Sequence, residues 1–263
     1  MLSIIIVNYK NPPLLRLCLK TLGQNLAPSF EKEIIVVDSA SSAETRNLIS
    51  EEFPEAKLLP FAENIGYTRG VNEGIKASWG ELALILNPDI VILPNSVEKM
   101  AGLLERRPDI GLLGPQLLNF DGSPQSSCFR FYSPAIILYR RSFLGRLPFA
   151  KKALARFLMN DSDLTKETAV EWLMGSAIMF RKAAQREVGP MDERFFLYMS
   201  DVDWAKRFWK AGHKVVYFPE AKMYHYHRRV SKGKFGIFDL LTKKETRWHL
   251  KDSVKYFNKH GWR

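Results

Sequence analysis

Asp89 stands at the mouth of the most apolar run in the chain. Leu82-Ala83-Leu84-Ile85-Leu86 stops at Asn87-Pro88-Asp89 and resumes as Ile90-Val91-Ile92-Leu93. A carboxylate so placed is a hard-cation ligand. Mg2+ or Mn2+ is held by one or two carboxylates, with substrate phosphates and water completing the shell. Two later clusters also carry chemistry. In "FFLYMSDVDWAKRFWKAG", Asp201 follows Phe195, Phe196 and Tyr198, whose bulk partly desolvates a carboxyl, raises its pKa and improves it as a base. Ser200 and Asp203 are spaced like a capping box with Gly212 as the stop, so Asp203 also reads as an ordinary first-turn acid. In "YHYHRRVS", His225 and His227 alternate onto one face of a strand, and either suits a metal. Arg228 and Arg229 then stand ready for phosphate oxygens, although the same run reads equally as a basic surface strand.

The elements that must position these residues are legible from periodicity. Residues 2–9, 33–38, 57–61, 81–86 and 110–116 read as strands. Residues 13–25, 43–53 and 67–78, and a segment opening at Asn95, read as helices. Strands that alternate with helices and are apolar on both faces indicate a parallel sheet covered on both sides. The polar punctuation recurs at the carboxyl ends of these strands: Asn8-Tyr9, Asp38, Asn64-Ile65-Gly66 and Asn87-Pro88-Asp89. Each alone is ordinary turn chemistry. Four on one edge make that edge a binding site, where open α/β sheets take their ligands. Neither GxGxxG after the first strand nor GxxxxGK[ST] occurs, which excludes the dinucleotide fingerprint and the P-loop. From 122 to 168 no period emerges. A strand, a compact helix and another strand follow, and the chain from 231 onward reads as one or two amphipathic helices.

The chain has 263 residues, 46% of them hydrophobic and 25% charged, which suits a globular protein with a sizeable core. Two cysteines, Cys18 and Cys128, make neither a disulfide framework nor a metal cluster and point to a reducing compartment. No apolar run approaches the ~20 residues that span a bilayer, and residues 2–9 read as a strand rather than a signal peptide, so a cytoplasmic location is expected. The net charge of +11 is concentrated. Residues 222–263 hold twelve Lys and Arg against three acids, and residues 122–160 hold seven and no acid. An anionic partner is implied for both stretches, unless they are merely solvated basic faces.

In order, "SIIIVNYK", "IIVVDSAS", "NIGYTRGVNEGI", "LILNPDIVI", "WLMGSAIMFRKAA", "VGPMDERFFLYMSDVDWAKRFWKAGHKVVYFPEA" and "HYHRRVS" resemble the inverting family 2 glycosyltransferases of GT-A fold, above all the rhamnosyltransferase-like branch. The resemblance spans residues 2–231. It implies a Rossmann-like, mostly parallel α/β sheet flanked by helices over residues 1–230. Within it, 1–121 would be the nucleotide-sugar half and 122–230 the acceptor and catalytic half, with 231–263 a basic helical tail. It implies that Asn8, Tyr9, Asp38, Asn64, Arg69, Asn72 and Asn87 bind the nucleotide-sugar. Asp89 and His225 (or His227) would hold Mn2+ or Mg2+. Trp172, Gly175 and Asp203 would line the sugar and acceptor pocket, and Asp201 would be the catalytic base. The family's Glu-Asp pair is Ser200-Asp201 here, and its DxD is Asn87-Pro88-Asp89. The near match of "KETRW" to the QxxRW of processive members reads instead as part of an amphipathic helix, so one sugar is added.

The implied partners are a nucleotide-sugar donor, a glycan or lipid-linked acceptor, and an anionic membrane surface on which the protein is peripheral. The first rival is a catalytically inactive nucleotide-sugar or membrane-surface binding protein on the same fold, supported by Ser200 alone. The second is nucleic-acid binding through the aromatic-rich tail. No nucleic acid is expected, because Phe238, Leu241, Leu250, Val254 and Phe257 fit the buried stripe of amphipathic helices equally well.

Overall fold

Strands β1 (Leu2–Tyr9) and β4 (Leu82–Leu86) are almost entirely buried, as an apolar run covered on both faces requires. In this computed structural model, which describes residues 1–226 and 244–262, they lie side by side at the middle of one sheet. His227, Arg228, Arg229 and the stretch 231–243, including Phe238 and Leu241, lie outside the described residues. β2 (Lys32–Ser39) and β3 (Ala56–Phe61) extend the sheet in parallel on one side of β1. On the other side the order continues from β4 through β10 (Ala177–Arg181), β6 (Ile110–Leu118) and β11 (Lys214–His225) to β5 (Ile90–Ile92). β10 runs antiparallel to both its neighbours, so β4, β6 and β11 all point one way.

That arrangement gathers the polar ends. Ala177 at the start of β10 pairs with Leu86 at the end of β4, which brings Gly175 and Ser176 beside Asn87. His225 at the end of β11 pairs with Ile90 at the start of β5, which brings His225 beside Asp89. β11 runs six residues beyond Pro219. A register shift between Phe218 and Lys222 carries the proline as an irregularity, and the strand continues to His225.

Helices α1 (Pro12–Asn25), α2 (Ala43–Glu52), α3 (Gly66–Ala77) and α4 (Ser96–Arg106) cover the sheet, forming two apolar layers on its two faces. The patternless region holds the short strand β7 (Cys128–Phe129), and β8 (Thr168–Ala169) and β9 (Trp172–Leu173) follow at its end. It also holds helices α5 (Pro134–Arg141) and α6 (Pro148–Phe157). Then come α7 (Lys182–Val188), α8 (Ser200–Lys210) and α9 (Lys244–His260). The expected capping box does not form. Met199, in the left-handed region at φ 65°, is the cap residue, and Ser200 is already the first helical residue with a buried hydroxyl. Among the described residues no helix is long and apolar enough to cross a membrane.

Candidate active site

The carboxyl ends of β1 and β2 set a hydrogen-bonded pair. Asn8 Nδ2 donates to Asp38 Oδ1 at 2.7 Å because the strands hold the two residues in register. Both side chains are buried, and Asn8 Oδ1 and Asp38 Oδ2 lack hydrogen-bond partners among the described residues. They sit behind Val7, Tyr9 and Ser39, which line a cavity of about 880 Å³, within the range of small-molecule sites. Asn64 lines it too. Its Oδ1 accepts from Ser39 Oγ at 3.1 Å and from Gly66 N at 3.0 Å, which shapes the start of α3. Gly66 needs φ +77°, and a Cβ there would lie 2.7 Å from the Phe196 carbonyl oxygen. That carbonyl accepts the Tyr67 N–H at 3.0 Å, tying α3 to the loop before α8.

Arg69 and Asn72, expected along the donor, do not line this cavity. Arg69 is exposed. Asn72 is buried and pins the turn before α8. Its Nδ2 donates to Met191 O at 2.8 Å and Glu193 Oε1 at 2.9 Å, and its Oδ1 accepts Met191 N at 3.0 Å.

Asn87, Asp89 and His225 do converge on the cavity. Asn87 N donates to Ser176 O at 2.8 Å, which locks the Asn87-Pro88-Asp89 turn to the start of β10. His225 is held by Gln125, a residue that sequence reasoning missed. Gln125 Nε2 donates to His225 O at 2.9 Å and to Asn119 Oδ1 at 2.8 Å. Its Oε1 is therefore the acceptor for His225 Nδ1 at 3.0 Å. In the neutral ring Nε2 then carries the lone pair, and it faces Asp89 Oδ1 at 3.5 Å. Asp89 Oδ1 is buried and accepts no hydrogen bond among the described residues. Two lone-pair atoms facing one another across that gap suit a cation, and donors this close lie within the bite of one divalent ion, whose ligand distances run at ~2.0–2.2 Å. No group of three or more His, Cys, Asp or Glu gathers among the described residues. The pair is a two-donor site of the kind that substrate phosphates and water complete.

Asp201, on the first turn of α8, meets the same cavity at another wall. Its Oδ2 accepts the Gly175 N–H at 3.1 Å and its Oδ1 accepts the Val202 N–H at 2.9 Å. Burial outweighs those hydrogen bonds and pushes the carboxyl up to about 6. Gly175 O accepts the Tyr67 hydroxyl at 2.6 Å, and a Cβ on Gly175 would come 2.8 Å from that hydroxyl. Gly175 thus lets α3, the β9–β10 turn and α8 meet around Asp201. Ser200, where the family pattern has Glu, is buried and does not line the cavity. Trp172 does line it, stacked on Phe129 with ring centroids 4.4 Å apart, and its Nε1 donates to Arg130 O at 2.7 Å.

Asp203, expected in the pocket, is turned away from it. Two positions along α8 rotate a side chain to another face. Its carboxylate, 0% exposed, accepts from Arg207 Nε at 3.0 Å, Lys259 Nζ at 2.7 Å and His260 Nε2 at 2.7 Å. The last two come from α9, which is a wall of the site. Trp248 and His249 line the cavity, and Tyr256 and Phe257 are buried beneath α9. Asp252, also buried, accepts the N–H groups of Phe196 at 3.2 Å, Leu197 at 3.4 Å and Tyr198 at 3.2 Å. It thereby fixes the loop that leads into Asp201. Burial and the nearby Arg141 and Arg140 push His249 down to about 3, so its ring is neutral at pH 7. The "KETRW" run marked this helix, but Trp248 enters the cavity rather than only covering a surface.

Residues 3–148 match the profile described as glycosyl transferase family 2. The chain is 32% identical over 247 residues, 89% of itself and 78% of the relative, to an N-acetylglucosaminyl-diphospho-decaprenol L-rhamnosyltransferase of Mycobacterium tuberculosis. Among solved structures it resembles mannosyltransferase PcManGT from Pyrobaculum calidifontis in complex with GDP-Man and Mn2+. There the TM-score is 0.60 at 16% identity, covering 87% of this chain and 57% of that one. It also resembles GalNAc-T7 with UDP, GalNAc and Mn2+, at TM-score 0.69 and 14% identity, covering 87% of this chain and 43% of that one. The chain therefore spans about half the length of these structures, and the likeness is one of fold: the GT-A sheet expected from sequence.

Proposed function

The chain belongs to glycosyl transferase family 2, and on that premise we propose an inverting transfer of one sugar from a nucleotide-sugar to a hydroxyl of a lipid-linked or cell-envelope glycan acceptor. dTDP-rhamnose is the donor favoured by the rhamnosyltransferase relative, whose name also specifies a lipid diphosphate acceptor; UDP- and GDP-sugars are the alternatives. The observation that carries the reading is Asp201: a cavity-lining carboxyl raised to about 6, on the cavity that Asp89 and His225 also line.

In this mechanism Asp201 is ionised at pH 7 and keeps lone pairs beyond those engaged by Gly175 and Val202. It takes the proton of the acceptor hydroxyl as that oxygen attacks the anomeric carbon. The bond from the anomeric carbon to the phosphate oxygen breaks, and the nucleoside diphosphate leaves on the opposite face. A positioned base of this kind contributes about 10²–10⁴ in rate. Asp89 and His225 would hold Mn2+ or Mg2+, which supplies charge neutralisation to the departing diphosphate. Tyr9, Ser39, Asn64 and Asn87 would contact the donor, with Asn8 and Asp38 stiffening the floor behind them. Trp248, half-buried in the cavity wall, would offer an apolar face to a sugar ring, Trp172 would back that wall from its stack on Phe129, and Asp252 positions the loop of Asp201. The acceptor would be met at the cytoplasmic face of a membrane.

Calorimetric titration of dTDP, UDP and GDP, each with and without Mn2+, tests the donor site. One nucleotide should bind tightly, and both omission of Mn2+ and Asp89→Ala should weaken it at least tenfold. Equal binding of that nucleotide by Asp89→Ala would remove Asp89 from the site. Binding of none would contradict the transfer reading and favour the membrane-surface form of the inactive rival.

A further inference from the structure

We propose that the hairpin of α5 and α6 is a membrane-docking surface that seats the protein on an anionic lipid bilayer. The proposal gives a place to the lipid-linked acceptor in the reading above, but it stands on observations of its own.

The hairpin has two apolar sides. Ile136, Ile137, Ala150 and Phe157 turn inward and are buried. Leu138, Phe143, Leu147 and Phe149 turn outward, with Phe143 76% and Phe149 60% exposed. These four are among only eleven large exposed hydrophobics in the described residues, and they fall within twelve positions. A cluster of this kind marks an interaction surface, where single exposed apolar residues do not. The 3-10 turn Phe143–Arg146 brings the C-terminus of α5 against the N-terminus of α6, and the Phe149 ring packs edge-on against Tyr139 with centroids 5.9 Å apart. The outward residues therefore form one tip.

Charge selects the occupant. Arg146, Lys151 and Lys152 are exposed at that tip, Arg156 is exposed farther along α6, and no acid occurs from residue 122 to 160. Aromatic side chains that enter the acyl boundary, ringed by cations at headgroup level, are the composition of an interfacial helix on anionic lipid. The long aliphatic stems of Lys and Arg suit that boundary as well. A protein partner would more often be met by mixed charge. The hairpin is also continuous with the cavity: Arg140, on the same helix as Leu138, lines it and donates to the Tyr132 hydroxyl. A lipid-borne acceptor in the bilayer would thus have its headgroup beside the cavity. α9, the other basic helix, has Tyr256, Phe257 and Asp252 committed to packing.

The test is sedimentation of the full chain with phosphatidylcholine vesicles, pure or with about one-third phosphatidylglycerol. The wild type should pellet with the anionic vesicles and not with the neutral ones. The pair Phe143→Ser and Phe149→Ser should lose at least tenfold in partition. The pair Lys151→Glu and Lys152→Glu should lose at least about 20-fold, since each cation near such a surface changes binding about fivefold. All four side chains are solvent-exposed and outside the cavity, so nucleotide affinity measured by calorimetry should not change. Pelleting of either double variant like the wild type, or no preference of the wild type for anionic vesicles, would overturn the proposal. So would a wild-type dimer that the Phe variant dissolves, because a second copy would then be the occupant. Nucleotide affinity reports separately on the glycosyl-transfer reading, so either failure can be told from the other.

Discussion

Two aspartates two residues apart on α8 have opposite surroundings. Asp201 faces the cavity, accepts hydrogen bonds from two backbone N–H groups and has no ion-pair partner among the described residues, so burial leaves its carboxyl up at about 6. Asp203 faces α9 and is enclosed by Arg207, Lys259 and His260. One helix turn thus supplies a poised base on one face and a structural anchor on the other. A pKa near working pH needs desolvation without a counter-charge, whereas an anchor needs the counter-charges.

Replacing each acid separates the two roles. Asp203→Ala removes the buried carboxylate on which Arg207, Lys259 and His260 converge, and losing these three charge-assisted contacts costs on the order of 3–5 kcal/mol. The urea midpoint should fall steeply, with α9 released. A midpoint within experimental error of the wild type would show that the network is dispensable. Asp252→Asn should cost less, on the order of 1–3 kcal/mol, because an amide oxygen accepts more weakly than a carboxylate holding three N–H groups and Lys255. Its transfer rate should drop while nucleotide affinity stays, as a loop-positioning role requires.

Asp201→Asn should do the reverse to stability. The folded carboxyl is raised from 3.8 to about 6, so the stability it contributes is fully present below the unfolded value and lost as pH rises through 6. Above 6 the ionised side chain therefore costs on the order of 2–3 kcal/mol, which Asn does not incur. The variant should be more stable than the wild type at pH 8, with the difference shrinking as the pH falls from 6 to 4. Thermal melts at both ends of that window check it.

The same contrast explains what could be read in the sequence. β1, β2 and β4 announce themselves because both faces are buried, and their polar ends at Asn8, Asp38 and Asn87 mark the edge. Asp201 is marked in the sequence by the aromatic residues before it, and in the structure it lines the cavity with a carboxyl raised to about 6. The partner of His225 was not, since Gln125 lies 100 residues away in a stretch without period. The α5–α6 hairpin shows no helical period because its outward face carries Leu138, Phe143 and Phe149 as well as cations, so apolar residues occur on both sides. Asp252 looked like one of three acids in a basic tail, yet it is buried beneath the loop it holds. Asp203 was misplaced because helix-start spacing is the same whether the carboxylate faces a cavity or a neighbouring helix.

The most direct test of the central claim is the transfer rate of Asp201→Asn against the wild type, with saturating donor and Mn2+, from pH 5 to 8. The wild-type rate should rise with pH through about 6 and level off. The variant should be slower by about 10²–10⁴ and flat across that range, with unchanged nucleotide affinity. A variant that transfers sugar at the wild-type rate, or that keeps the wild-type pH dependence, would contradict Asp201 as the base.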